Sequence, residues 1–423
     1  MKSFFAKIGL ILGDGMIRRR IFFTMAALVI FRALATIPVP GVNTLRLEAF
    51  FAENQFFGLL NVFSGGGLSN LSIVMLGVGP YITASIIMQL LTIMFPRLKA
   101  MYQEEGEVGR KKFTQISRMI TVPLAFIQSF AFLRLLQSSG ALDPIVGMDL
   151  WVNMLVITAG SLLLMWIGEL ISEFGIGNGV SLIIFAGIVA SLPQAITQLV
   201  IIFDPAQIPV YIAFVVATLL VITGVVIITE AERPIPITYA KRVRGMKVYG
   251  GISTYLPLRL NQAGVIPIIF ALSILLFPQM IVTLLSSVQN DTVQSVSQFI
   301  LNALNNQWVY GVSYFFLVFI FTYFYTAITF DPDMISENLQ RNGAFIPGVR
   351  PGQSTSQHIA KILTRLTLVG ALFLSIIAIL PLIMRALTGF QQLAIGGTAL
   401  LIVVSVVVDL LKKVDAQVSA REY

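Results

Sequence analysis

Ten apolar runs recur along the chain, near 21–37, 73–95, 118–137, 151–169, 180–201, 209–229, 263–285, 308–329, 366–384 and 393–411. Each is long enough to cross a hydrocarbon core of roughly 30 Å as a helix of about 20 residues. A helix is the element such runs predict, because it satisfies its own backbone polar groups where no water is available. One stretch breaks the pattern: "NVFSGGGLSN", residues 61–70, puts three glycines and a polar pair directly before an apolar run. Glycine costs a helix about 1 kcal/mol relative to alanine, so the pattern argues against a continuous span through Gly65, Gly66 and Gly67. Irregular backbone at membrane depth is tolerated only where it is buried in protein or lines a watery cavity. The next span is expected to begin around Ile73, with Pro80 close enough to its first turns to be accommodated.

Charge in the loops orients the bundle, since lysine and arginine accumulate on the cytoplasmic side. Of the 28 lysines and arginines, only Arg46 and Arg385 fall in loops on the opposite side, and only Arg32 and Arg134 fall within spans. Ten spans with both termini cytoplasmic satisfy this bias, whereas nine or eleven would scramble it. Ten also divides after the fifth span into halves of 1–202 and 209–423. An odd number of spans per half means that the second half is inserted upside down relative to the first, as inverted-repeat folds require.

Composition narrows the function. With 57% hydrophobic and 11% charged residues and a mean hydropathy of +0.87, the 423-residue chain is an integral membrane protein. It has no cysteine and a single histidine, His358, so disulfides, thiolate metal sites and histidine clusters are excluded and no metal is expected. The amino terminus carries charges on both sides of a short apolar stretch with no small-residue cleavage site after it, which predicts an uncleaved, cytoplasmic start. None of the 20 acidic residues lies near a span centre; Glu169, Glu230 and Asp409 sit at cytoplasmic span ends, where a solvated role is expected. That disfavours a proton-coupled transporter, although sodium can be held by the carbonyls of broken helices. No nucleophile–base pair, Walker-type loop or dinucleotide fingerprint is present, and "GGGLSN" lacks the lysine and the preceding strand of a phosphate loop. Neither an enzyme nor a cofactor is expected.

Two cytoplasmic loops, about 230–261 and 331–365, are long and basic. They contain "ERPIPITYAKRVRGMKVYGG" and "RNGAFIPGVRPGQSTSQHIAK". Their proline and glycine punctuation specifies turns in place of flexible coil. An ordered basic protrusion suits an anionic or protein partner. For the amino-terminal charges and those of 97–118, topology and anionic lipid are sufficient explanation; Arg350, framed by "IPGVRPG", fits either role.

The strings "FSGGGLSNLSIVMLGVGPYITASIIMQLL", "EFGIGNGVSLIIFAGIVA", "STYLPLRLNQAGVIPIIFA", "NLQRNGAFIPGVRPG", "LTRLTLVGALFLSIIAILP" and "GGTALLIVVSVVVDLLKKV" closely resemble, in order and along essentially the whole chain, those of the SecY family of protein-translocase channel subunits. The resemblance implies an all-α polytopic fold, ten transmembrane helices in two inverted five-helix halves around a central pore, hinged near 202–208. It implies a plug half-helix over 61–70, including Gly65, Gly66, Gly67, Leu68, Ser69 and Asn70, whose small, non-sticky residues suit a stopper that leaves its seat. It implies a ring of aliphatic side chains, carried motif by motif onto Val78, Ile82, Val180, Ile184, Ile269 and Ile402. Two of the six are valine where isoleucine is common in the family, so a slightly wider ring is expected. A lateral gate between the second and seventh spans follows, with Thr83, Gln89 and Asn261 as candidates for breakable polar contacts.

The implied function is a passive channel that passes unfolded secretory polypeptides across the bacterial cytoplasmic (inner) membrane and releases membrane segments sideways. The implied partners are the SecA ATPase and the ribosome on the two basic loops, SecE and SecG beside the spans, signal peptides, and anionic lipid. Arg350 is the leading candidate for a motor contact, followed by Arg242, Arg244 and Lys247. A secondary transporter of a small solute is the alternative, and an intramembrane enzyme or motor-free insertase a third.

Overall fold

The computed structural model describes residues 13–39, 67–68, 71–138, 142, 147–201, 205, 208–239, 242–244, 247–249, 253–285, 291–388 and 396–419. Its helices are α1 (Gly15–Ala35), α2 (Gly79–Met94), α3 (Pro96–Gln103), α4 (Gly106–Ser138), α5 (Met148–Phe174), α6 (Gly179–Ile201) and α7 (Ile208–Glu230). They continue with α8 (Ile266–Leu285), α9 (Asp291–Asn305), α10 (Gln307–Thr329), α11 (Pro332–Arg341), α12 (Gln353–Thr388) and α13 (Gly396–Ser419). The ten apolar runs coincide with α1, α2, α4 to α8, α10, α12 and α13. By length and hydropathy alone, α4, α5, α7, α10 and α12 qualify as spans among the described residues, and α2 with α3 forms a pair bent by 114°. The remaining helices run beside these in one bundle: α1 packs on α5 and α6, α8 on α2, α4 and α10, and α13 on α6, α7 and α12. The hinge expected near 202–208 falls largely outside the described residues.

The second span starts later than its hydropathy suggests. Residues 73–78 form successive tight turns, in which Met75 N–H donates to Ser72 O at 2.9 Å, Gly77 N–H to Val74 O at 2.8 Å and Gly79 N–H to Leu76 O at 3.2 Å. Two residues enforce the irregularity: Leu71 at φ +40° and Gly77 at φ +58° are incompatible with a right-handed helix. Pro80, lacking an N–H, then sits in the first turn of α2, where no donor is required. A helix beginning at Ile73 would have placed that proline in its interior, where it costs about 3 kcal/mol.

The fold is helical through the membrane but not throughout. The two basic loops contain β1 (Glu232–Tyr239), β2 (Arg242–Arg244), β3 (Lys247–Tyr249), β4 (Ser253–Arg259) and β5 (Ala344–Phe345). A three-stranded sheet runs β4-β1-β5, with Ile235 opposite Leu256 and Thr238 opposite Phe345, so one strand from the second loop completes a hairpin from the first. Ile235 and Ile237 face inward while Pro234 and Pro236 face out. The prolines fit because β5 reaches only Thr238 and Tyr239, leaving the proline-bearing part of β1 with one open edge. Beneath the sheet, Ile235, Leu258, Ile346 and Ile359 form a small buried core.

Candidate functional site

The six ring candidates come from distant parts of the chain and meet in one apolar cluster. Val78 caps the start of α2 and Ile82 lies one turn later; Val180 and Ile184 occupy the first two turns of α6; Ile269 begins α8; Ile402 lies on α13. Val78, Ile184, Ile269 and Ile402 are buried, and Ile82 and Val180 are half-buried against the same cluster. Among the described residues no charged side chain is buried. The six are aliphatic and bring no polar side-chain atom to the cluster.

Glycines and hydroxyls set the positions of these side chains. A Cβ at Gly168 on α5 would sit 3.3 Å from Val180 Cγ2, and one at Gly179 would overlap the Gly168 carbonyl, so α5 and the start of α6 touch backbone to backbone. The turn between them uses Gly177 at φ +91°, and Asn178 Oδ1 accepts from Ser181 N–H at 3.3 Å to cap α6. Further along α5, Gly160 lies against the Ile73 carbonyl, and the buried Ser161 hydroxyl donates to Gly77 O at 2.8 Å. Helix α5 therefore holds the irregular segment that delivers Val78.

Of the plug candidates, Gly65, Gly66, Ser69 and Asn70 lie outside the described residues. Gly67 and Leu68 are buried. Leu68 packs with Leu71, Met75, Leu133, Leu136 and Ile157 in a second cluster at the ends of α4 and α5. Ser72 N–H returns to Gly67 O at 2.8 Å and Leu71 N–H to Leu68 O at 3.0 Å, while Val39 N–H reaches Leu71 O at 2.8 Å and Ile73 N–H reaches Ile37 O at 3.0 Å. Leu68, alone among the plug candidates described with a side chain, is thus packed into the bundle.

Where the lateral gate is expected, α8 packs on both α2 and α4. Thr83 and Asn261 are buried. The hydrogen bonds of Gln89 and Asn261 are local: Gln89 Nε2 donates to Ser85 Oγ at 3.4 Å within α2, and Asn261 Nδ2 donates to Gly264 O at 3.1 Å within its own turn. Sequence reasoning missed a bond that does cross. Gln103, at the end of α3, donates from Nε2 to Ile328 O of α10 at 3.1 Å, across 225 residues of chain. Nearby, the Phe270 ring of α8 meets Phe321 and Tyr325 of α10 edge-on, at 6.1 and 6.0 Å. No spacing signal marks Gln103, because its partner is a main-chain carbonyl.

The basic side is built firmly. Arg350 is exposed, on a turn flanked by Gly348 at φ +84° and Gly352 at φ +95°. Its carbonyl accepts from Thr355 Oγ1 at 2.8 Å, and Ser336 Oγ donates to Gly352 O at 2.6 Å. Arg242, Arg244 and Lys247 belong to the β2–β3 ribbon, whose register sets Arg244 opposite Lys247. The acids expected to be merely solvated are paired: Glu169 accepts from Arg118 Nε at 2.6 Å between α5 and α4, Glu230 lies 3.1 Å from Lys412 Nζ, and Asp409 lies 3.0 Å from Lys413 Nζ.

A bundle of apolar helices with no buried charge among the described residues, capped on its basic side by a sheet, defines a polytopic membrane protein. The family model for SecY matches residues 72–411. The chain is 40% identical to the protein translocase subunit SecY of Mycobacterium bovis over 96% of both chains, and 42% identical to that of Halalkalibacterium halodurans over 99% of both. Its fold is similar to a solved protein-conducting channel, with a TM-score of 0.65 at 18% identity over 96% of this chain and 93% of that one. It is also similar to Sec61 in the canine ribosome–channel complex of the endoplasmic reticulum, with a TM-score of 0.63 at 16% identity over 97% and 94%. The chain belongs to the SecY family and is a multi-pass protein of the bacterial inner membrane.

Proposed function

We propose that this chain is a protein-conducting channel in which an extended, unfolded polypeptide threads the ring formed by Val78, Ile82, Val180, Ile184, Ile269 and Ile402. The observation that carries the reading is the convergence of these six aliphatic side chains in a single cluster beside which no described charge is buried. Such a waist resists ion leakage yet accepts every residue type. The segment 61–70 closes the channel from the side opposite the basic loops and swings on the anchored base at Leu68 and Leu71. The halves 1–202 and 209–423 part along the α2–α8 seam to release apolar segments into lipid, with Thr83, Gln89 and Asn261 lining the opening.

The chain has no fuel site of its own in this reading, and energy comes from partners on the cytoplasmic face. SecA and the ribosome dock on the two basic loops, with Arg350 foremost and Arg242, Arg244 and Lys247 behind it. SecE and SecG pack beside the spans, anionic lipid meets the remaining cytoplasmic charges, and both termini are cytoplasmic. The experiment is a photo-cross-linker at Ile184 with a secretory chain stalled in transit. Adducts to the stalled chain are expected, and only while it is present. A small solute or cation held at the waist, or a traversing chain that never labels, would overturn the assignment.

A further inference from the structure

Helix α9 lies at the end of the bundle opposite the basic loops, because it joins α8 to α10 whereas those loops join α7 to α8 and α10 to α12. It packs on both of its neighbours. With 3.6 residues per turn its surface divides into three arcs. Ser297 is buried and Ile300 half-buried, so their side faces the bundle; Gln294, Ser295, Gln298 and Asn302 form an exposed polar arc. On the remaining flank Val296 and Phe299, one turn apart, are 53% and 74% exposed.

An exposed phenylalanine and valine one turn apart beside a polar arc form the apolar flank that a helix lying flat at a membrane boundary presents to lipid. Two further observations fix the occupant. Trp308, 75% exposed in the first turn of α10, is the amphipathic ring that belongs at headgroup level, and it lies just beyond the end of α9. Asp291 is the only charged residue in 291–305, so charge attraction to anionic headgroups contributes little.

We propose that α9 is an interfacial helix whose Val296 and Phe299 flank enters the acyl boundary of the leaflet opposite the basic loops, tethering that end of α8. The occupant is lipid, recognised by apolar contact and not by headgroup charge. The test uses the full chain reconstituted alone in phosphatidylcholine vesicles. Phe299→Trp is made in a background with Trp151, Trp166 and Trp308 replaced by phenylalanine, and lipids brominated high on the acyl chain or near its end serve as quenchers. More of the emission should be lost to the shallow bromines than to the deep ones. The loss should persist when part of the lipid is exchanged for phosphatidylglycerol or when salt is raised. Val296→Trp serves as a second reporter should the first variant fail to insert, and Gln298→Trp, on the polar arc, should respond to aqueous iodide instead. Iodide quenching at both 296 and 299, or shielding that arises only when a partner subunit is added, would overturn the proposal.

Discussion

Replacing Gly160 by alanine tests how tightly α5 governs the segment that carries Val78. A methyl there would overlap the Ile73 carbonyl oxygen, lie 2.8 Å from its carbon and stand 3.3 Å from Val74 Cγ1. Carbon contacts settle near 3.5–4.0 Å, so the segment must retreat by roughly 1 Å. It is pinned while doing so, by Ser161 Oγ on Gly77 O at 2.8 Å and by Ile73 N–H on Ile37 O at 3.0 Å. Overpacking of this kind costs about 1–3 kcal/mol, and loss of the Ser161 bond would add about 1–3 kcal/mol for the buried carbonyl left unpaired. Helix propensity works the other way, since alanine is favoured over glycine by about 1 kcal/mol. Packing should win, giving a net loss of stability and a looser position for Val78. Gly224 on α7 is the internal control, because a methyl there meets only the Phe373 ring at 3.4 Å. The assay is the thermal inactivation half-life of the purified protein, with halide leak into dye-loaded vesicles as the second readout. Gly160→Ala should inactivate faster and leak more than Gly224→Ala. Equal half-lives and equal leak would refute the reasoning.

Three further substitutions probe other parts of the same architecture. Leu68→Ala empties a fully buried site, at a cost of about 2–5 kcal/mol, and should raise resting halide leak; a tight seal would mean that Leu68 does not hold the segment in place. Arg350→Glu should abolish SecA-driven transport with the amount of protein in the membrane unchanged, and normal transport would remove Arg350 from the motor contact. Gln103→Leu deletes the bond to Ile328 O, worth about 0.5–1.5 kcal/mol, and should lengthen and broaden the distance distribution between spin labels on α3 and α11; an unchanged distribution would show that the bond does not restrain the seam.

Hydropathy located ten apolar runs, each of which coincides with a helix, because burial in lipid imposes one uniform requirement on each. It misplaced the start of α2, since 73–78 is as apolar as a helix yet turns on Leu71 and Gly77. The small sheet was illegible for a different reason. Pro234 and Pro236 occupy alternate positions of β1 and read as turn residues, while β5 joins from more than a hundred residues away, beyond any local periodicity. Glu169 looked solvated because its partner, Arg118, belongs to another helix. The ring candidates are ordinary valines and isoleucines along the chain, and only likeness to a family singled them out. Their meeting in one cluster depends on backbone contacts at Gly168 and Gly179 that no hydropathy pattern records.

The strand that joins the two basic loops has a mechanical consequence. Because β5 is stitched to β1 above a shared knot of isoleucine and leucine, the two loops form one connected platform on the ends of α7, α8, α10 and α12. In the proposed function that platform is a single handle for a docked partner. Load on it is shared by four helices, where two independent tethers would simply have swayed.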